Sequence, residues 1–191
     1  MPSVRAEQLD LLGHRKPIRI PARRWHQWLT DPDVVARFDA KRFRRRGDQC
    51  WPWLGAVSST GHGSFRAISL PGPSRRGTVP AHLFAYQLAY GVIARSGWSN
   101  VEDLVLCHQC DFAGCTNPTH LRLGTPAVNR AEYAARRGAH CGALADTRGQ
   151  AGRTRAIAHT IAVGTAAGET TDTIDNRIAY AEAAGQPLTL W

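Results

Sequence analysis

The sequence contains no run of eighteen apolar residues, which excludes an ordinary membrane-spanning helix. Its first residues show no charged segment followed by an apolar stretch and a small-residue cleavage site, so no export signal is indicated. Acidic residues are few, because 15 Asp and Glu stand against 24 Lys and Arg, a formal net charge of +9. We therefore expect a soluble, cytoplasmic protein with no membrane partner, whose basic surface suits a polyanion.

The positive charge is uneven along the chain. Residues 1–50 carry twelve Lys and Arg against six Asp and Glu, residues 51–150 carry nine against five, and residues 151–191 carry three against four. The run Lys41–Arg46 holds five cations in six residues and fits either a solvated face or contact with a phosphate backbone. The candidate nucleic-acid-binding residues are Lys41, Arg42, Arg44, Arg45, Arg46, Arg122 and Arg130.

Turn signals and apolar patterns divide the chain into three segments. Residues 1–47 form a basic N-terminal arm, in which prolines exclude a long helix before Asp33. Residues 48–138 hold the motifs described below. Residues 139–191 form a linker and an Ala-rich tail, with a loop-like stretch up to Arg153 and two helices over residues 154–185 that break near Gly164–Glu169.

The central segment predicts two units. The first is a hairpin with strands over Cys50–Gly55 and Ser64–Leu70, followed by a helix over Val79–Gly91. The second is a strand over Leu104–Cys107, a thiol-bearing loop, a strand over His120–Leu123, and a helix to about Arg137 that begins with Thr125 as N-cap. The predicted fold class is α+β, with a ββα core, an N-terminal β-hairpin and helix, and a helical C-terminal tail.

The second unit gathers residue types that suit phosphodiester hydrolysis. A neutral imidazole at the end of the first strand, His108, can take a proton from water. A divalent cation held by hard ligands on the helix can neutralise charge developing on the phosphate. The N-terminus of the same helix adds positive potential. The segment from His108 to Asn129 therefore suits a site for phosphodiester hydrolysis.

Several short motifs follow one another along this part of the chain. They are Cys50-Trp51-Pro52-Trp53-Leu54-Gly55, Gly61-His62-Gly63, Ala81-His82, His108-Gln109-Cys110-Asp111, Cys115 through Thr125, and Asn129. In this order they resemble the HNH endonucleases of the His-Me finger group, in the phage and bacterial type that has a Cys-rich zinc-binding loop. The resemblance covers about residues 49–137. It implies a ββα-metal core and a metal-dependent endonuclease that acts on DNA, with a homodimer as one allowed state.

The resemblance also implies roles by position. His108 matches the general base that activates water, and His120 matches the residue that orients the base or contacts the scissile phosphate. Asn129 matches the ligand of a catalytic Mg²⁺ or Mn²⁺, with Glu132 one turn later as a helper. Asn117 is the literal Asn of the motif and belongs to the candidate catalytic set, although its position before Pro118 also predicts a loop-shaping role.

Two positions depart from the pattern of the family. Some relatives place an Asp before the base as a metal ligand, and here that residue is Cys107. Metal binding then rests on Asn129 with water and phosphate, or draws on Asp111. The Ala-His pair is usually followed by Arg, and here by Leu83, so one phosphate contact that the resemblance implies is not matched. This leaves room for an impaired or inactive copy.

Five cysteines, an odd number, cannot all pair as disulfides, and thiols clustered with histidines indicate a metal. Cys110 and Cys115 close a short loop that Cys50 can approach from the hairpin, so soft thiolates favour structural zinc. The fourth zinc ligand is then His82 or Cys107, and His82 is preferred. An alternative to the catalytic role of His108 is that it is itself a zinc ligand, within the run Cys-His-x-Cys.

Two other functions remain open on the same residues. One is a zinc-stabilised nucleic-acid-binding module without turnover, which the basic arm supports equally well. The other is an iron–sulfur protein that uses Cys107 with the other three thiols. The iron–sulfur hypothesis gives no purpose to His108, His120 and Asn129, so the endonuclease is preferred.

Overall fold

A computed structural model describes residues 20–68, 77–93, 104–138 and 142–187 of the chain. Helices and short strands alternate in these ranges. In chain order they are α1 (Ala22–Thr30), α2 (Pro32–Asp39), β1 (Ser64–Arg66), β2 (Thr78–Pro80), α3 (Ala81–Tyr90), β3 (Val105–His108), β4 (Leu121–Gly124), α4 (Pro126–Gly138), α5 (Gly149–Ala166) and α6 (Thr171–Ala183). The described chain is therefore a mixed α+β structure, as the sequence predicted.

The described part of the N-terminal arm consists of two short helices. Asp31 is extended at the end of α1 and caps α2, because its side chain accepts hydrogen bonds from the backbone N–H groups of Asp33 and Val34. Pro32 occupies the first helical turn, where no N–H is needed. The prolines therefore divide the arm into short helices, in agreement with the prediction of no long helix before Asp33.

An aromatic core joins the arm to the central segment. The fully buried Phe38 ring of α2 lies 4.6 Å from the Phe84 ring, 5.1 Å from the Phe65 ring and 5.4 Å from the Trp53 ring, measured between centroids. Trp25 of α1 extends the same core. The arm thus packs onto the central segment.

The hairpin differs from the sequence prediction. Strand β1 pairs antiparallel with β2, with Phe65 opposite Val79, and does not pair with Cys50–Gly55. The predicted strand Cys50–Gly55 makes only isolated bridges among the described residues. The Trp53 N–H donates to Gly114 O, and the Phe43 N–H donates to Pro52 O. The predicted pairing was wrong because this segment is hydrogen-bonded to two other parts of the chain.

Strands β3 and β4 form the second antiparallel pair, with His108 opposite Leu121. A single turn of 3-10 helix over Pro118–His120 leads into β4. Helix α4 follows at once, and the Thr125 hydroxyl accepts a hydrogen bond from the Val128 N–H at 3.2 Å. The predicted strand, loop, strand and helix are confirmed, with each strand shifted by one residue.

The tail forms the two predicted helices, and α5 begins at Gly149, inside the stretch predicted as loop. Ile157 and Ile161 of α5 pack with Phe112 and Cys115 of the thiol-bearing loop. The sequence pattern missed this early start because the buried face of α5 depends on that loop. Within the described ranges, no helix is both long and apolar enough to cross a membrane.

A buried carboxylate fastens the tail to the turn that precedes it. Asp146 accepts a hydrogen bond from the Arg148 Nε at 2.9 Å, and its other oxygen lies 3.3 Å from Arg153 Nη1. Arg153 also pairs with Glu182 of α6 at 2.6 Å. This network links the turn before α5 to both tail helices.

Asp146→Asn is expected to lower the free energy of unfolding by about 1.5–3 kcal/mol, the usual value of hydrogen bonds to charged groups. Burial raises the pKa of Asp146, but the hydrogen bonds from Arg148 outweigh it and bring the pKa below its usual range. The carboxylate therefore stabilises the fold above the pKa of an unfolded Asp, and this contribution is lost as the pH falls through the lower folded-state pKa. Thermal unfolding at neutral and acid pH measures both effects.

The exposed carboxylate of Asp172, on α6, provides the matched control. Asp172→Asn should leave the unfolding temperature close to that of the unmodified protein. Equal unfolding temperatures of Asp146→Asn and Asp172→Asn at neutral pH would contradict the role of the buried network.

Candidate functional site

Three cysteines and one histidine lie close together. One cysteine comes from the start of the central segment, and the other three residues come from the stretch between β3 and β4. The ligand atoms of Cys50, Cys110, Cys115 and His120 all lie within 4.8 Å of one another. His120 Nδ1 lies 3.5 Å from Cys50 Sγ and 3.6 Å from Cys115 Sγ. We call these four residues the thiol cluster. It could hold a metal ion such as zinc, since three soft thiolates and one imidazole are a usual zinc ligand set.

Hydrogen bonds outside the thiol cluster orient its members. The Asp48 carboxylate lies 2.8 Å from His120 Nε2, so the other ring nitrogen faces the sulfurs. Burial lowers the pKa of His120, but the Asp48 hydrogen bond and the charge of Cys110 outweigh it, and the pKa is raised. Hydrogen bonds from the Cys115 and Cys50 thiols lower the pKa of Cys110 below its usual range.

Asn117 supports the loop and does not reach the thiol cluster through its side chain. Its Nδ2 donates to Gln49 O at 2.9 Å, and its Oδ1 accepts from the Thr119 N–H and hydroxyl. The Asn117 N–H donates to Cys115 Sγ at 3.4 Å. The side chain is 2% exposed, so it is a loop-positioning residue and lies too deep for substrate, contrary to its place in the candidate catalytic set.

The membership of the thiol cluster corrects two sequence predictions. The fourth candidate ligand is His120, because the 3-10 turn brings its ring over the sulfurs, whereas His82 lies in a separate group. His120 was predicted to orient the base or contact the phosphate, and its two ring nitrogens are instead directed at the thiols and Asp48. Cys107 lies in β3 outside the cluster, so it does not provide the fourth thiol that the iron–sulfur alternative assigned to it.

A second group consists of three imidazoles. The ring centroids of His62 and His82 are 5.0 Å apart, those of His82 and His108 5.0 Å, and those of His62 and His108 5.6 Å. Their candidate ligand atoms all lie within 4.8 Å of one another. We call these residues the histidine cluster. The sequence prediction assigned no role to His62, although its place between two glycines was a signal.

The glycines on either side of His62 hold it in position. A Cβ atom on Gly63 would lie 2.5 Å from the Trp53 indole, so only glycine fits against that ring. Gly61 has φ +87°, and a Cβ there would lie 2.7 Å from the backbone of Gln150 in α5. The Gly61 carbonyl accepts a hydrogen bond from the Thr154 hydroxyl at 3.0 Å. Contacts with Trp53 and with α5 therefore fix the position of His62 beside the other two imidazoles.

The histidine cluster is short of hydrogen-bond partners. His82 Nδ1 and both ring nitrogens of His108 are buried with no partner among the described residues. Burial, reinforced by the charge of His108, lowers the pKa of His62 to about 4. The same causes lower the pKa of His82 well below its usual range. His62 and His82 are therefore neutral near pH 7, and the Thr60 hydroxyl lies 3.0 Å from His62 Nδ1.

A cavity of about 250 Å³ opens beside His108. Its polar and aromatic lining includes His62, His108, Asp111, Asn129, Tyr133 and Arg136. The imidazole from β3 and the amide from α4 thus face a common space large enough for a phosphate group and several waters. The sequence predicted a site between His108 and Asn129, and both residues line this cavity.

Both candidate carboxylate ligands are engaged by arginines. Asp111 accepts two hydrogen bonds from Arg136 Nε, each 2.9 Å long. Glu132 pairs with Arg122 and lies 3.7 Å from Arg136 Nη1. Arg136 also donates to the His108 carbonyl at 3.4 Å, so it braces the end of β3. Arg136 was missed by sequence reasoning, and it is the cation at the cavity wall.

The basic residues of the arm divide into two groups. Arg42 is buried, with its guanidinium 5.3 Å from the Trp51 ring and 2.5 Å from Asp39. Arg45 pairs with Asp175 of the tail at 2.6 Å. These two arginines are structural and were wrongly included in a nucleic-acid surface. The predicted basic residues that remain exposed are Lys41, Arg44, Arg46 and Arg130.

No protein-family model, curated protein or solved structure matches this chain. Its function must therefore be inferred from its own motifs and geometry. Two features carry that inference: a thiol cluster that could hold a metal, and a cavity where His108 meets Asn129.

Proposed function

We propose that this chain is a metal-dependent endonuclease of the HNH type that hydrolyses phosphodiester bonds in DNA. One observation carries the proposal. His108, whose ring nitrogens have no partner among the described residues, lines the same cavity as Asn129. The strand, loop, strand and helix that present them match the order expected for a ββα-metal core.

His108 acts as the general base in this proposal. A neutral imidazole accepts a proton from water, and the resulting hydroxide attacks phosphorus. The bond from phosphorus to the leaving oxygen breaks, and that oxygen takes a proton from solvent. Arg136 positions His108 through its carbonyl and supplies positive charge at the cavity wall.

The amide of Asn129 is the oxygen ligand for a Mg²⁺ or Mn²⁺ ion in this proposal. The donor set fits a hard cation that keeps most of its waters, since Asp111 and Glu132 are held by arginines. When bound, such an ion neutralises charge that develops on the phosphate and the leaving oxygen. The thiol cluster in this proposal holds zinc, which stabilises the loop next to β3.

The proposal is tested with supercoiled plasmid DNA, which separates nicked and linear products on a gel. Cleavage should require added Mg²⁺ or Mn²⁺ and should stop when EDTA removes them. Asn129→Ala should lower the rate about 100-fold or more, because the loss of even an outer-shell partner of a metal costs about 10–100-fold. Asn129→Asp keeps an oxygen ligand and should retain much more activity.

Equal rates for Asn129→Ala and the unmodified protein would contradict the assignment of Asn129. Gln109, an exposed amide immediately after β3, is the matched control, and Gln109→Ala should cleave at the unmodified rate. Cleavage that continues in EDTA would contradict the metal requirement itself.

A nucleic-acid-binding module without turnover is the second candidate. It is favoured by the engagement of Asp111 and Glu132 with arginines, which leaves neither of these two candidate carboxylates free to bind a cation. A gel-shift assay that detects DNA binding, together with no cleavage in either metal, would support this module over the nuclease. Binding that weakens with salt would indicate contact through exposed cations such as Arg46.

A further inference from the structure

We propose that His62, His82 and His108 form a second metal site, which takes a borderline transition-metal cation such as Zn²⁺, Co²⁺ or Ni²⁺, and that an ion bound there stops His108 from accepting a proton. The existence of the site stands on the geometry of the histidine cluster alone. Its effect on cleavage rests on the proposed function.

The geometry brings three donors to one point from three different elements. His62 lies in the loop before β1, His82 in the first turn of α3, and His108 at the end of β3. Their candidate ligand atoms lie within 4.8 Å of one another, so small rotations of the rings place them about 2.0–2.1 Å from a common ion. The three histidines thus lie on three different elements of the fold.

The unpartnered nitrogens point to a missing ligand. Buried polar atoms in proteins are almost always hydrogen-bonded, and an exception calls for an explanation such as an ion. His82 Nδ1 and both nitrogens of His108 are such exceptions among the described residues. His62 differs, because the Thr60 hydroxyl lies 3.0 Å from its Nδ1. An ion bound by one nitrogen of each ring supplies the partner.

The donor set selects the class of metal. The cluster is composed of imidazoles alone, which suit zinc, cobalt, nickel and copper, whereas Mg²⁺ and Ca²⁺ prefer oxygen ligands. Three histidines leave one coordination position open, as in zinc sites that retain a water. His62 lines the cavity shared with Asn129 and also a groove of about 610 Å³ shared with His82. Both openings give a hydrated ion a path to the cluster.

Sharing His108 between two roles has a direct consequence. A neutral imidazole has one nitrogen with a free lone pair, because the other carries a proton. If that lone pair binds a metal, it cannot accept a proton from water. A transition metal in the histidine cluster is therefore expected to inhibit Mg²⁺-dependent cleavage, and removing His62 should weaken the inhibition.

The test uses the protein as purified, with the thiol cluster loaded with zinc, and titrates it with Co²⁺. One further equivalent should bind, with visible ligand-field bands and without the thiolate-to-cobalt charge-transfer absorption that the thiol cluster would give. His62→Ala and His82→Asn should each weaken this binding about 100-fold or more, since direct ligands contribute more than outer-shell partners. His159→Ala, an exposed histidine on α5, should bind the extra equivalent normally.

The zinc retained in the thiol cluster shows that each variant is folded. The absence of a further equivalent in the unmodified protein, or undiminished binding by His62→Ala, would overturn the site. In the cleavage assay, Zn²⁺ added at constant Mg²⁺ should slow the unmodified protein more than it slows His62→Ala, each compared with its own rate without Zn²⁺. Binding without inhibition would overturn the shared use of His108. If no preparation cleaves DNA, the proposed nuclease fails while the Co²⁺ titration still decides the site.

Discussion

His108→Ala is expected to lower the rate of Mg²⁺-dependent plasmid cleavage by about 10²–10⁴-fold, the usual contribution of a general base. The reason is positional. His108 is the imidazole at the end of β3 that faces Asn129 across the cavity and has no hydrogen-bond partner among the described residues. His120 cannot replace it, because its nitrogens are directed at the thiol cluster and Asp48. The measurement is the initial rate of loss of supercoiled plasmid.

His26, an exposed histidine on α1, is the matched control for this substitution. His26→Ala should cleave at the unmodified rate, and both variants should retain the metal of the thiol cluster as a sign of intact folding. If His108→Ala turned over as fast as the unmodified protein, the base would have to be another group, and the nuclease proposal would lose its central residue.

Cys115→Ser is expected to lose the metal of the thiol cluster and to lower the unfolding temperature sharply. The Cys115 side chain is fully buried and packs against the tail helices, so the substitution affects both the ligand set and the second core. Metal binding at structural zinc sites contributes about 10–16 kcal/mol in small domains, and much of that is folding free energy. Elemental analysis and thermal unfolding measure the two losses.

Cys107→Ser is the control that the chain itself supplies. Cys107 is as buried as Cys115 but lies outside the thiol cluster, so this variant should keep its metal and lose only a modest part of its stability. Two results would contradict the assignment: unmodified protein that contains no metal, or equal loss of metal from Cys107→Ser and Cys115→Ser.

Local signals determined much of the fold. Thr125 and Pro126 specify where α4 begins, because a capping hydroxyl and a missing N–H are both effective only at a helix start. The position of the break between α5 and α6 was also predicted from local sequence signals. The pairing of the hairpin was not local, because the strand signal at Cys50–Gly55 does not say which backbone groups will be its hydrogen-bond partners. Gly114 O accepts from the Trp53 N–H, and the Phe43 N–H donates to Pro52 O.

The sequence by itself determined which residue types would meet: the thiols of Cys110 and Cys115, with the distant Cys50, for a soft metal, and an imidazole on a strand with an amide on the helix of the same unit. Only the tertiary structure decided the remaining members. His120 joins the thiols through a single 3-10 turn, while His82 is carried by α3 to His62 and His108. Spacing along the chain constrains donors within one loop, but donors on separate elements are brought together by core packing, which no local pattern encodes.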